Sequence, residues 1–263
     1  MLDENLTAAR EFNNQIVLAD TLSKQARTAI ALGEYEAAVE SLRESLRVLD
    51  SIGRNDAGIV RCDLGQALCY LGDFAAAMRE LENGLEAALH ANHASYAAAC
   101  LNALGRLAFA QMRCKDAIDY HQRALAIWQE QNNEPEMALT FYLIGRATCG
   151  EQAAETMDAM QAALRLAIKH RLAPVALGVF VTMAPALARQ DKRAQAETLL
   201  DLVLTDSAAT HQMRVEAGTI ARELAMSPAH TQARPDVPSP SMTWMEAACA
   251  LVDSAVSAVE SCR

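Results

Sequence analysis

A helical pattern recurs every 39 or 40 residues along this chain, and it restricts the possible folds more than any other feature. Its clearest mark is a leucine that follows a short side chain on the second helix of each unit. The six occurrences are Asn5-Leu6, Ser45-Leu46, Gly84-Leu85, Ala124-Leu125, Ala163-Leu164 and Val203-Leu204. A period of this length, kept over most of the 263 residues, predicts stacked helical hairpins that each contact mainly their neighbours.

The first helix of each unit, and the turn after it, repeat at the same spacing. Small residues that would let the partner helix approach closely occupy one position, at Ala26, Gly65, Gly105 and Gly145. Three turns are equivalent, Gly33-Glu34-Tyr35, Gly72-Asp73-Phe74 and Met112-Arg113-Cys114. Because no segment alternates apolar and polar residues as a half-buried strand would, the predicted fold class is all-α.

Composition and charge exclude several functions. Apolar residues make up 52% of the chain and aromatic residues only 5%, which predicts an interior of small and aliphatic side chains. A net charge of -10 argues against direct nucleic-acid binding, since that needs a basic surface. The N-terminus is acidic, and nowhere do about eighteen apolar residues follow one another. The sequence therefore predicts a cytoplasmic protein with no membrane partner.

The cysteine pattern points the same way. The seven cysteines are odd in number, scattered, and contain no C-x-x-C pair. They are Cys62, Cys69, Cys100, Cys114, Cys149, Cys249 and Cys262. We expect them to be reduced thiols.

These features resemble the tetratricopeptide repeat over residues 2 to about 225. The resemblance rests on Leu64-Gly65, Leu104-Gly105 and Ile144-Gly145 in the first helices, and on the Gly-Asp/Glu-aromatic turns. It implies a right-handed α-solenoid of about five helix-turn-helix repeats with a C-terminal capping helix. The period of about 40, rather than the common form's roughly 34, is similar to the MalT-like variety in bacterial STAND, LuxR or SARP regulators. HEAT and armadillo arrays share the period but do not explain the paired positions.

The repeats, residues 1–226, begin in mid-repeat, because residues 2 to 12 look like a second helix without its first. Residues 227–240 contain four prolines and are predicted to be a linker. Residues 241–263 are predicted to form an amphipathic helix that starts with a capping box at Thr243 and Glu246. This helix either caps the final repeat or fills the ligand groove. Within the fifth repeat, Pro185 is expected to kink its helix.

The sequence shows little that could carry chemistry. His90 and His93 could ligate a metal, but no further ligand completes a set, so a solvated helix end is the better interpretation. Cys62 and Cys69 share a helix face without any sign of activation, and His121 occupies a position that packs between helices. Phosphate-binding and hydrolase motifs are absent. We therefore predict a protein that is not an enzyme and needs no cofactor or metal.

The first helices line the inner surface in tetratricopeptide arrays, and their registers define a candidate ligand groove. The predicted groove residues are Arg27, Gln66, Asn102, Arg106, Phe109, Tyr142 and Arg146. Three arginines in one register stand out in an acidic protein, and two interpretations stay open. Either each pairs with a neighbouring carboxylate, or together they bind a ligand.

The predicted function is a protein- or peptide-binding scaffold with an acidic partner, as the sensor or docking module of a bacterial signalling or transcriptional regulator. The alternative is a free-standing structural adaptor that forms homodimers through its apolar tail helix.

Overall fold

The computed structural model describes residues 14–54, 57–148, 153–226 and 243–260, together with Ala9 and Phe12. Within these residues there are twelve α-helices and no strand. They are α1 (Gln15–Leu32), α2 (Tyr35–Ser51), α3 (Gly58–Tyr70), α4 (Phe74–His90), α5 (Ala94–Ala110), α6 (Cys114–Glu130), α7 (Glu134–Ala147), α8 (Ala153–His170), α9 (Ala173–Arg189), α10 (Arg193–Thr205), α11 (His211–Met226) and α12 (Trp244–Glu260). The all-α prediction is confirmed.

The chain divides into two compact units, Met1–Asn132 and Asn133–Arg263. Unit 1 contains the hairpins α1/α2, α3/α4 and α5/α6, and each hairpin packs on the next. Unit 2 contains the hairpins α7/α8 and α9/α10, followed by α11 and α12. The first helix of each hairpin is called helix A below and the second helix B. Each unit has its own apolar core and one tryptophan, the buried Trp128 in unit 1 and the half-buried Trp244 in unit 2.

One small-on-large contact holds helix A against helix B in successive hairpins. A Cβ atom placed on Gly65 would lie 2.5 Å from Cγ of Leu81, and one on Gly145 would lie 2.8 Å from Cε of Met160. Gly105 faces the ring of His121 in the same way, with 2.7 Å to Nδ1. Real Cβ contacts are essentially never this short, so an added Cβ would force the facing residue to shift, most easily at Gly145, where it meets the flexible end of Met160. The large B-helix residues recur at intervals of 39 or 40 and are all buried, namely Leu42, Leu81, His121, Met160 and Leu200.

The turns from helix A to helix B share one backbone conformation although their sequences differ. A residue with positive φ ends the A helix at Gly33 (87°), Gly72 (81°), Met112 (60°) and Asp191 (62°). The amide after it donates to a carbonyl five residues earlier, as in Asp73 to Leu68 (3.0 Å) and Arg113 to Ala108 (2.9 Å). This is the Schellman arrangement, which satisfies the last carbonyls of a helix. Met112 and Asp191 adopt it without the conformational freedom of glycine.

The C-terminal helix begins with the predicted capping box. The Thr243 amide donates to Oε2 of Glu246 (2.7 Å), and the Glu246 amide donates to Oγ1 of Thr243 (3.4 Å). From there α12 packs against α8 and α9, and it buries Ala247, Ala248 and Leu251 in the core of unit 2. The apolar residues of its first two turns are thus covered by unit 2 itself.

The remaining predictions concern Pro185 in the fifth repeat, the N-terminal segment and the proline-rich linker. Helix α9 continues through Pro185 to Arg189, and α11 follows the last hairpin. The helix predicted at residues 2 to 12 and the linker at 227–240 lie almost wholly outside the described residues. Ala9 is buried against Leu18, Leu22 and Val48.

The shared turn conformation predicts opposite effects for two substitutions. Replacing Gly72 with Ala should lower the free energy of unfolding by about 1 kcal/mol, because the new Cβ meets nothing within 4 Å and only the positive φ opposes it. Met112→Gly should raise it by roughly 0.5 kcal/mol, since this side chain is 77% exposed and glycine relieves the same conformation at some entropic cost. Urea denaturation measures both changes. Shifts in the same direction would show that backbone conformation does not control these turns.

The packing of α12 predicts a large difference between two neighbouring positions. Leu251→Ala should lower the free energy of unfolding by about 2–4 kcal/mol, because Leu251 is 3% exposed and belongs to the core of unit 2. Cys249→Ala, on the exposed side of the same helix, is the control and should change it by less than about 0.5 kcal/mol. Equal, small effects would mean that α12 does not contribute to the core.

Candidate functional site

Five of the seven predicted groove residues lie on the A helices of unit 1. Arg27 is on α1, Gln66 on α3, and Asn102, Arg106 and Phe109 are on α5. Helix α3 packs against both α1 and α5, so the three helices form one continuous layer. We call these five residues the helix-A face of unit 1. The other two, Tyr142 and Arg146, lie on α7 of unit 2 and are described separately.

Arg27 is neutralised by a carboxylate of the next A helix. Its Nε lies 2.7 Å from Oδ2 of Asp63, and the Asp63 side chain is only 13% exposed. Burial raises the pKa of Asp63, and the Arg27 guanidinium partly offsets that rise. The Arg27 guanidinium thus compensates the negative charge of the Asp63 carboxylate. Arg27 therefore has a structural role.

Arg106 occupies the equivalent position on α5, but no carboxylate of the described residues pairs with it. Among the described residues, no hydrogen bond or ion pair involves its guanidinium. In the sequence, Asp63 stands two residues before Gly65, whereas the corresponding residue before Gly145 is Leu143. Arg106 is partly buried, and its charge acts on the Cys62 and Cys69 thiols and on His121. It is therefore a half-buried cation set among neutral groups.

Asn102 and His121 form a buried polar pair behind Arg106. Nδ1 of His121 lies 3.0 Å from Oδ1 of Asn102, and the two side chains are 1% and 5% exposed respectively. Burial, and then the charge of Arg106, lower the pKa of His121 from 6.5 to about 3. His121 is consequently a neutral packing residue at pH 7, as its position in the repeat predicted. Asn102 orients it and is too buried to contact a ligand directly.

The thiols near this face are structural. A hydrogen bond with Cys100 and then burial raise the pKa of Cys62 well above its usual value, and burial raises that of Cys69. Neither thiol is activated as a nucleophile. Cys62, Cys69, Cys100 and Cys249 are free, whereas Cys114 is disulfide-bonded. The expectation that all seven cysteines are reduced is therefore wrong for Cys114, because pairing depends on spatial distance, which sequence spacing does not reveal.

In unit 2, Arg146 is paired and Tyr142 is buried. Nη2 of Arg146 lies 2.5 Å from Oε1 of Glu216 on α11, and Glu216 also accepts a hydrogen bond from Gln212 (2.9 Å). The ring of Tyr142 is 4% exposed and fills the space over Gly178, where an added Cβ would lie 2.7 Å from its Cζ. Tyr142 therefore offers no apolar ring to a ligand, in contrast to its predicted role. The ring instead packs between the A helices α7 and α9.

No arrangement suited to metal binding appears in the described part of the chain. No group of three or more His, Cys, Asp or Glu residues there could hold an ion. His90 is 80% exposed beside Glu86, and the ring of His93 lies 5.1 Å from that of Tyr96 at an angle of 45°. Nor do the described residues include a helix that is both long enough and apolar enough to span a bilayer.

Comparison with known proteins identifies the repeat type. Residues 97–130, which contain Asn102, Arg106, Phe109 and His121, match the tetratricopeptide repeat family. The structure is similar to the crystal structure of BtubC (BKLC) from P. vanneervenii, with a TM-score of 0.53 and 21% identity over 65% of this chain and 72% of that one. It is also similar to a Podosopora anserina putative kinesin light chain with nearly identical TPR-like repeats, with a TM-score of 0.51 and 18% identity over 77% and 96%. No curated protein matches the sequence.

These likenesses show a fold of helix-turn-helix repeats, of which residues 97–130 match the tetratricopeptide family. Sequence reasoning missed the carboxylates that decide which arginine is available. Asp63 stands 36 residues from Arg27, and Glu216 stands 70 residues from Arg146. The first could have been found from the repeat, because Asp63 faces the position one repeat earlier. The second lies on α11, where the pattern is degenerate and gives no register.

The buried imidazole predicts a pH dependence of stability. The folded-state pKa of His121 lies below its unfolded value of about 6.5, so unfolding takes up a proton and stability falls as pH decreases from about 6.5 towards 3. His121→Leu would place against Gly105 the side chain that Leu81 places against Gly65. The variant has no imidazole at this position and therefore lacks this pH-dependent contribution to stability. Between pH 7 and pH 4.5, the free energy of unfolding of wild type should fall by about 2–3 kcal/mol more than that of the variant, as measured by urea denaturation.

The matched control is His90→Gln, because His90 is exposed and should leave the pH profile unchanged. Parallel profiles for wild type and His121→Leu would show that His121 titrates near its ordinary value in the folded state.

Proposed function

We propose that this protein is a non-catalytic scaffold that binds an acidic segment of a partner protein through Arg106. The observation that carries the proposal is that Arg106 lacks a carboxylate within the described residues, while Arg27 and Arg146 each have one. Arg106 also lies inside the segment that matches the tetratricopeptide family. Arrays of this type present extended surfaces to peptides and proteins.

Electrostatics favours an acidic ligand at this position. The protein carries a net charge of -10, so an unpaired guanidinium at a half-buried site is a local exception. The surrounding thiols and imidazole are neutral at pH 7, and they lower the local polarity without neutralising the charge. A carboxylate that enters would form a charge-assisted, two-pronged hydrogen bond with arginine. Gln66 adds a polar amide on α3, and Phe109, one turn from Arg106, adds apolar contact.

Arg146 has a weaker claim to ligand binding. A ligand carboxylate would have to replace Glu216, which already satisfies the guanidinium at 2.5 Å. The proposal therefore centres on unit 1, and Arg146 is a second contact only for a ligand that displaces Glu216.

The broader role that we propose is the docking or sensor module of a cytoplasmic bacterial regulator. Its support is the sequence resemblance, in particular the repeat of about 40 residues and the polar joints between repeats. Transcript sequencing that reads in frame into an NTPase or DNA-binding domain would support it. The alternative of self-assembly through the tail is not favoured, because Ala247, Ala248 and Leu251 are already buried in unit 2.

The binding proposal predicts that removing one charge weakens acidic ligands selectively. Peptides selected from a random displayed library on the wild-type protein should be enriched in Asp and Glu. Arg106→Gln should then weaken their binding by on the order of 2 kcal/mol, about thirtyfold, measured by fluorescence anisotropy, because a partly desolvated ion pair is lost.

Arg79→Gln is the control, since it makes the same charge change at an exposed position on α4. It should alter affinity by less than about twofold, as expected for a remote surface charge. Both variants are first compared with wild type by thermal melting. Selected peptides without acidic residues, or equal losses for the two variants, would contradict a role for Arg106.

A further inference from the structure

Unit 1 has a second surface feature, an open cleft of about 500 Å³ on the side of α2. Helix α2 forms one wall, and the last turn of α3 with the residue before α4 forms the other. None of its lining residues belongs to the helix-A face of unit 1. What it binds is therefore a separate question from the function proposed above.

The floor of the cleft is apolar. Val39 and Leu68 are 6% and 4% exposed and belong to the core of unit 1, whereas Leu71 is 39% exposed. Leu71 is the last residue before the Gly72 turn, so the Schellman arrangement fixes its position. An exposed leucine beside buried aliphatic side chains offers a contact for another aliphatic side chain.

The walls carry opposite charges at opposite ends. Glu36 and Glu40 lie on the first turns of α2, and the opposite wall contributes Asp73, whose Oδ1 caps α4 by accepting from the Ala76 amide (3.0 Å). Arg43 and Arg47 follow seven residues after the two glutamates, which is about 10 Å along the helix axis. Within the described residues, no ion pair joins the two ends, and Arg47 Nε donates only to the Arg43 carbonyl (3.3 Å). The cleft thus presents uncompensated negative and positive ends on either side of an apolar floor.

We propose that this cleft binds an α-helical segment of a partner protein with a basic residue and an acidic residue seven positions apart. A helix lying along α2 spans the same 10 Å in seven residues, so its two charges meet the two ends together. Leucine at the positions three and four after the basic residue then faces Leu71 and the floor. A segment with the same charge at both positions meets repulsion at one end of the cleft.

Three labelled, alanine-based helical peptides test this inference. All carry leucine at the two middle positions, and the charged positions hold Lys and Glu, two Lys, or two Glu. Fluorescence anisotropy with wild type should show that the Lys/Glu peptide binds at least about fivefold more tightly than either of the others. Arg43→Glu/Arg47→Glu makes both ends acidic and should shift the preference to the Lys/Lys peptide. Glu36→Lys/Glu40→Lys should shift it to the Glu/Glu peptide.

Two further variants separate the cleft from general charge effects. Arg79→Glu/Lys115→Glu makes the same charge change as the arginine pair, at exposed positions outside the cleft, and should keep the Lys/Glu preference. Leu71→Glu should weaken all three peptides by about tenfold or more. The inference is overturned if wild type shows no Lys/Glu preference, or if the preference stays the same in whichever cleft variants melt like wild type.

Discussion

The close approach of helix A to helix B depends on a missing side chain. At Gly65, Gly105 and Gly145, a Cβ atom would overlap the large residue of the facing helix. The buried residues that fill this space differ in chemistry, as Leu81, His121 and Met160 show, but all are long enough to reach the glycine backbone. A fixed small position thus tolerates variation at the large one. That tolerance places an imidazole where the neighbouring hairpin has the aliphatic Leu81, and the imidazole needs Asn102 as a polar partner.

Charge compensation, rather than the number of arginines, distinguishes the positions of the helix-A register. Asp63 and Glu216 satisfy Arg27 and Arg146 at 2.7 and 2.5 Å, and both pairs are partly shielded from solvent. In the sequence of the repeat that follows Arg106, the position of Asp63 is taken by Leu143. Equivalent positions in a repeat array can therefore differ in charge compensation although the helices repeat. Pairing with a neighbouring carboxylate, the first of the two interpretations, is observed for Arg27 and Arg146.

Much of the fold could be predicted because its signals are local and repeated. The capping box depends on Thr243 and Glu246, which lie within one turn, and the period of 39 or 40 is visible because the same local pattern recurs several times. The turn at Met112 was also predictable, since its neighbours in the other repeats reveal the position. The candidate site was less predictable because burial and ion pairing depend on distant segments. Tyr142 is lost as a contact residue through Gly178, 36 residues away, and Glu216 lies in a region without clear register.

The two tryptophans are divided between the two units, and this gives the protein a separate optical label in each. Trp128 is 3% exposed near the end of α6, whereas Trp244 lies half-buried in the first turn of α12. Indole emission shifts to longer wavelength when the ring becomes hydrated, so each ring reports on the packing of its own surroundings. With either tryptophan replaced by phenylalanine, the remaining emission follows a single unit. The melting of the units can then be compared without cutting the chain.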